Sequence, residues 1–197
     1  MRPITCLLVH GGLAEAMDAR RFWGVPGVVD GLSAAGFTVI APDRDTTPTS
    51  WVAAAEDAAA VITGPSVVIG GSNGVSVALR LALDAPRLVE RLVLAWPATA
   101  GDPSVDALVP PDASHLTSGG TIRGVTDEEL ATLALPVGVM ASRPENRFHR
   151  RHTVDGLLGL LPGAVELRPP MAEPPRAEFV LGDFLRAVMP FVGGRWP

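Results

Sequence analysis

The stretch SVVIGGSNGVSVALRLALDAP, Ser66 to Pro86, decides how the chain is read. It begins as an apolar run, passes through Gly70-Gly71-Ser72-Asn73-Gly74, and continues as an apolar segment of helical character. A short apolar run bounded by turn residues reads as a buried strand. Gly-x-Ser-x-Gly between a strand and a helix is the pattern of a strained turn that lifts a serine hydroxyl above a sheet, its glycines relieving the crowding.

Two other readings of this turn fare worse. A dinucleotide loop uses glycines to bring the backbone close to a pyrophosphate at a helix start. Here the turn follows the third strand rather than the first, and no acidic residue ends the next strand, RLVLAWPA. A phosphate-binding P-loop requires a lysine, and the sequence contains neither lysine nor tyrosine. Schiff-base and phenolic acid chemistry are thereby excluded. The remaining titratable candidates are His10, His115, His149 and His152, the carboxylates and one thiol. Cys6 lies in an apolar strand and reads as a buried, unreactive thiol that has no cysteine to pair with.

With 197 residues, 47% of them hydrophobic, the chain fits one domain spanning residues 1–197. A net charge of -5 and no basic run argue against nucleic acid as a partner. No apolar run approaches the ~20 residues of a membrane span, and the start reads as no signal peptide. The expectation is a cytoplasmic protein acting on a small molecule, without cofactor or metal. Oligomeric state is not legible.

Apolar stretches at Ile4–Val9, Phe37–Ala41, Val67–Ile69, Leu92–Trp96, Val137–Met140 and Ala164–Leu167 read as strands. Helical segments alternate with them at 27–35, 50–62, 75–83, 154–161 and 179–192, Ser50 serving as a helix N-cap. Alternation of this kind predicts an α/β fold of three layers, a mostly parallel sheet with helices on both faces. Residues 99–125, rich in Pro, Gly, Ser and Asp, read as a short lid or functional loop. The tail GGRWP reads as frayed, with Trp196 packing it down.

Taken together, LLVHGGL, FTVIAPDRD, VVIGGSNG, RLVLAWPA, LPVGVMASRPEN and PGAVELRPP resemble the successive strands and turns of the α/β-hydrolase family, over about Ile4 to Val192. The resemblance implies Ser72 as nucleophile. It implies an oxyanion hole from the backbone N–H of Asn73 and of Gly12 or Leu13. His10, in the His-Gly turn, is expected to brace that loop, and it borders the expected substrate pocket. Trp23 and Trp96 fall where a pocket wall is expected, although bulky apolar residues are more often core.

The pattern breaks at the acid and the base. The family's acid follows the fifth strand, which puts Glu145 nearest, with Asp102 after the fourth strand as the second candidate. Its histidine belongs in the loop after the last strand, here RPPMAEPPRAEF, which contains none. A serine needs a base to take its proton. His149 is one replacement; Glu173, in the vacated loop, is another if burial raises its pKa. The leading expectation is therefore a non-hydrolytic acid/base reaction of a carbonyl compound, such as cyclisation, C–C bond formation, elimination or isomerisation. The alternatives are an esterase, lactonase or thioesterase using Ser72, His149 and Glu145 or Asp102, and a small-molecule binder without catalysis.

Overall fold

The computed structural model describes residues 4–195. Six strands form one sheet: β1 (Thr5–Val9), β2 (Thr38–Ile40), β3 (Ser66–Gly71), β4 (Val89–Ala95), β5 (Val137–Ser142) and β6 (Val165–Met171). Their order is β2-β1-β3-β4-β5-β6, and every neighbouring pair runs parallel. β3 lies inside the sheet and all six of its residues are buried, which is why its sequence shows no polar alternation.

Seven helices accompany the strands among the described residues: α1 (Val28–Ala34), α2 (Trp51–Ala60), α3 (Gly74–Asp84), α4 (Pro103–Asp106), α5 (Asp127–Ala131), α6 (Arg151–Leu160) and α7 (Leu181–Val192). Ser50 caps α2, its side chain accepting from Ala53 N at 3.0 Å. The predicted α/β layering is present. Along β1 the two-residue period divides the core: Leu7 and Val9 pack with α2, α3 and α6, while Cys6 and Leu8 pack on the opposite face with α1 and α7. Cys6 is fully buried, and burial pushes its thiol up to about 12.

The helix α5 was not expected from the sequence. At five residues it is too short to show a helical period, and a capping box between Thr126 and Glu129 defines it instead. Within 99–125, Ala113, Leu116, Ile122 and Val125 join the core, and Trp51 Nε1 donates to Leu116 O at 2.9 Å. These four side chains thus pack with α2, α3 and α6. The stretch from Val105 to Pro110 stands beside the carboxyl end of β3. Trp196 lies outside the described residues.

Candidate active site

Ser72 directly follows β3 and has φ +52°, a left-handed conformation that costs a non-glycine residue about 1–2 kcal/mol. The surrounding glycines permit the bend. A Cβ on Gly70 would lie 2.6 Å from Gly74 O, and one on Gly74 would collide with the carbonyl of Val9. Ser72 N donates to Ala95 O at 3.0 Å, fastening the turn to the end of β4. The serine hydroxyl is thereby held at the sheet's carboxyl edge, on the wall of a cavity of about 340 Å³.

His149 Nε2 lies 2.9 Å from Ser72 Oγ. His149 precedes α6 in the loop after β5, and Thr99, in the loop after β4, grips its two neighbours. Thr99 N donates to Phe148 O at 2.7 Å, and Arg150 N donates to Thr99 Oγ1 at 3.0 Å. Thr99 is fully buried, so these bonds are shielded from water.

Behind the imidazole, Glu173 Oε1 lies 3.3 Å from His149 Nδ1. Glu173 follows β6 and is 8% exposed. Ser142 Oγ donates to its other oxygen at 2.8 Å. Asn146 Nδ2 and Arg176 Nη1 each donate to Oε1 at 3.3 Å. The 3.4 Å approach of Asn146 Nδ2 to His149 Nδ1 is then that of two donors sharing one carboxylate oxygen. Burial alone would raise the Glu173 carboxyl. The His149 hydrogen bond and charge, with the Ser142 hydroxyl, outweigh it and hold the group at about 2 instead of 4.5. An ionised Glu173 beside Nδ1 favours the imidazole tautomer that carries its proton there, which turns the Nε2 lone pair toward the serine hydroxyl.

Several expectations need correction. Glu173 was expected as a proton acceptor with a raised pKa, and its environment lowers the pKa. Glu145 is exposed and accepts from Arg151 N at 3.1 Å, away from the imidazole. Asp102 caps α4 through Ser104 N at 2.9 Å and pairs with Arg150 at 3.0 Å; the Ser104 hydrogen bonds hold its carboxyl below the usual range. Neither carboxylate meets His149. His115 and His152, the remaining histidine candidates, are exposed.

Trp23 and Trp96 are fully buried and form no wall of the cavity. With Phe22, Phe179 and Phe184 they make an aromatic cluster below the sheet edge, Trp96 stacking on Phe184 at 5.6 Å. Trp96 Nε1 donates to Met171 O at 2.9 Å. His10 is buried away from the cavity, so its place as a substrate contact is likewise corrected. Its Nδ1 bonds Gly11 O at 2.8 Å and its Nε2 accepts from Arg44 N at 3.0 Å. Burial lowers its pKa, in keeping with a neutral ring that braces the loop.

Of the backbone groups expected to form an oxyanion hole, Leu13 and Asn73 line the cavity and Gly12 does not. Among the described residues, the N–H groups of Leu13 and Asn73 have no protein acceptor. The carbonyl of Gly12 accepts from Arg44, which also binds His10 O at 2.9 Å and stiffens the loop. Ala98, Val105, Leu108, Val109, Pro110 and Phe148 make the rest of the cavity largely apolar, with Arg123 and Glu15 as its charged members. No group of three or more metal-ligating side chains occurs among the described residues.

Ser142, Asn146, Thr99 and Arg123 were not singled out from the sequence. Their partners lie 31, 27, 51 and 50 positions away, so no local spacing marks them.

No protein-family profile and no curated protein matches the chain. Solved structures do. A hydrolase from Pseudomonas aeruginosa superposes with a TM-score of 0.73 at 16% identity, over 97% of this chain and 90% of that one. The carboxylesterase CesB of Bacillus subtilis gives 0.66 at 18% identity, over 98% and 85%. The meta-cleavage product hydrolase CumD of Pseudomonas fluorescens gives 0.62 at 18% identity, over 86% and 82%. The chain has the α/β-hydrolase fold, as its sequence resemblance implied.

Proposed function

We propose that the protein is a serine hydrolase that cleaves esters or thioesters of small, predominantly apolar acids, with Ser72 as nucleophile, His149 as base and Glu173 as the acid behind it. The single observation that carries this reading is the 2.9 Å contact between His149 Nε2 and Ser72 Oγ, within hydrogen-bonding reach of a general base. The expectation of a non-hydrolytic reaction rested on the lack of a histidine in the loop after the last strand. With His149 against the serine, hydrolysis is the better-supported chemistry.

In the acylation step, Ser72 Oγ attacks the carbonyl carbon as its proton passes to His149 Nε2. The C=O electron pair moves onto oxygen, facing the N–H groups of Leu13 and Asn73, where one donor of this kind contributes about 3–4 kcal/mol. Collapse breaks the bond to the leaving alkoxide or thiolate, which takes the proton from Nε2. Water then repeats the sequence on the acyl-enzyme: His149 accepts its proton, and the returning proton restores the serine. Throughout, Glu173 stays ionised, keeps the imidazole in its tautomer and stabilises the imidazolium.

A cavity of about 340 Å³ lies at the small end of the ~300–1,000 Å³ common for ligand sites. Its apolar lining favours a short to medium acyl chain. The test is reaction with a fluorophosphonate, followed by intact mass, beside turnover of 4-nitrophenyl esters. Stoichiometric labelling that disappears in Ser72→Ala, together with ester turnover lost in both Ser72→Ala and His149→Asn, is the expected result. A wild-type protein that is neither labelled nor active on any acyl ester or thioester would overturn the reading.

A further inference from the structure

Arg123 is a cation with 4% of its side chain exposed, beside the site but outside the proton relay. Its Nη1 donates to Asn73 Oδ1 at 3.0 Å and its Nη2 to Asp106 Oδ1 at 2.8 Å. Of the two partners, Asn73 lines the cavity and Asp106 does not. Asn73 follows the nucleophile candidate on the elbow, whereas Asp106 ends α4, directly before the Leu108–Val109–Pro110 roof.

We infer that Arg123 is a positioning residue that ties the cavity roof to the elbow, and that its ion pair with Asp106 determines which acyl groups the cavity admits. This inference rests on the serine-hydrolase reading above.

The guanidinium is a fixed post. Arg123 sits on a tight turn closed by Gly120 N to Val125 O at 2.9 Å and Gly124 N to Ser118 O at 2.7 Å, and flanked by the buried Ile122 and Val125. Those bonds do not involve the roof. The roof is anchored by the buried Val105 and by Val109 packed on the core, but α4 has only four residues and Leu108 is an exposed large hydrophobic. Its other ion pair, Asp102 with Arg150, has side chains 19% and 37% exposed, and pairs open to solvent contribute little. The Arg123 pair differs on one side: Asp106 is 25% exposed, but the guanidinium is buried, and a buried charge that loses its partner is strongly destabilising unless water reaches it. Without Asp106, the guanidinium keeps Asn73 and turns to water in the cavity it lines, while the roof loses its link to the 118–125 turn and is free to lift. A lifted roof is a larger cavity.

The second arm acts on the other side. By holding the Asn73 side chain, Arg123 restrains the residue whose N–H is proposed to meet the oxyanion. The two arms thus separate: the Asp106 arm governs acyl size, and the Asn73 arm governs the chemical step.

The test compares Asp106→Ala and Arg123→Met with wild type, and with Asp84→Ala as a remote ion-pair control. The readouts are kcat and KM on 4-nitrophenyl butyrate through decanoate, and amide exchange across residues 103–110. Asp106→Ala is expected to shift kcat/KM toward the longer chains by about fivefold or more while kcat on the butyrate is retained. It should also speed exchange in 103–110 about tenfold. Arg123→Met is expected to reproduce both effects and lower kcat in addition. If Arg123→Met does not fold, Asp106→Ala decides alone. A wild-type chain-length profile with unchanged exchange in Asp106→Ala overturns the inference. If wild type cleaves no ester and is not labelled, the hydrolase reading fails by itself, and the exchange measurement still upholds or overturns the tie.

Discussion

Replacing Glu173 by glutamine tests the proposed relay where it departs most from the order expected of the sequence. The substitution keeps the volume and removes the charge 3.3 Å from His149 Nδ1. The carboxyl is held at about 2 against an ordinary 4.5, a difference of 4.5 − 2 ≈ 2.5 pH units. At about 1.4 kcal/mol per pH unit this is roughly 3 kcal/mol favouring the ionised form beside its partners. If most of that interaction is with the imidazolium of the transition state, kcat falls about 10²-fold. A glutamine amide can also turn its NH₂ toward Nδ1 and invert the tautomer, which extends the loss toward ~10⁴-fold. Because Glu173 does not line the cavity, KM should stay close to wild type. The assay is hydrolysis of 4-nitrophenyl butyrate, with Glu145→Gln and Asp102→Asn alongside. Near-wild-type kcat in Glu173→Gln, or an equal loss in Glu145→Gln, would refute the assignment.

Stability should also respond to this carboxylate. Its pKa is depressed on folding, so its contribution is complete above the unfolded value near 4.5 and is lost as pH falls toward 2. Of roughly 3 kcal/mol, about 2 should be gone by pH 3, and urea titrations should show this loss in wild type but not in Glu173→Gln. Ser72→Gly should abolish turnover yet stabilise the fold by about 1 kcal/mol, because glycine accepts the positive φ at that position. Thermal unfolding decides it; a destabilised variant contradicts the strain argument. Thr99→Val removes the hydroxyl that accepts from Arg150 N while keeping the shape, and should cost about 1 kcal/mol of stability. It should also lower kcat more than it changes KM, since Thr99 steadies the loop carrying His149. Gly70→Ala forces a Cβ to 2.6 Å from Gly74 O and should cost about 1–3 kcal/mol with loss of activity, visible as a lowered urea midpoint.

The fold was legible because its signals are local. Six apolar runs, the Ser50 cap and the glycines around Ser72 each state their structure within a few residues. The serine was legible for the same reason, and so was His149, because it follows β5 with little chain between. Glu145 misled because it is three residues past the same strand, yet the chain carries its side chain outward to Arg151 N. The sequence offers Glu173 as a replacement base, but its environment depends on Ser142, Asn146 and Arg176 converging on one carboxylate, and only packing brings them together. The tryptophans show the converse limit. Trp96 directly follows β4 near the site, yet its positive φ turns the indole away from the cavity and into the aromatic cluster.

The strand order has a consequence for how such a site tolerates change. Ser72, His149 and Glu173 follow β3, β5 and β6, and thus lie in one direction across a sheet whose strands are spaced about 4.8 Å apart. The sheet works as a ruler, and the segments 143–148 and 172–173 set where along it the imidazole and carboxylate fall. One residue inserted in either would move a polar group by about 3.5 Å, more than a hydrogen bond can span, while every strand and helix stayed intact. Segment 107–110 measures nothing on that ruler. New substrate scope is therefore to be sought there, by exchanging whole segments of differing length, with the chemistry left untouched.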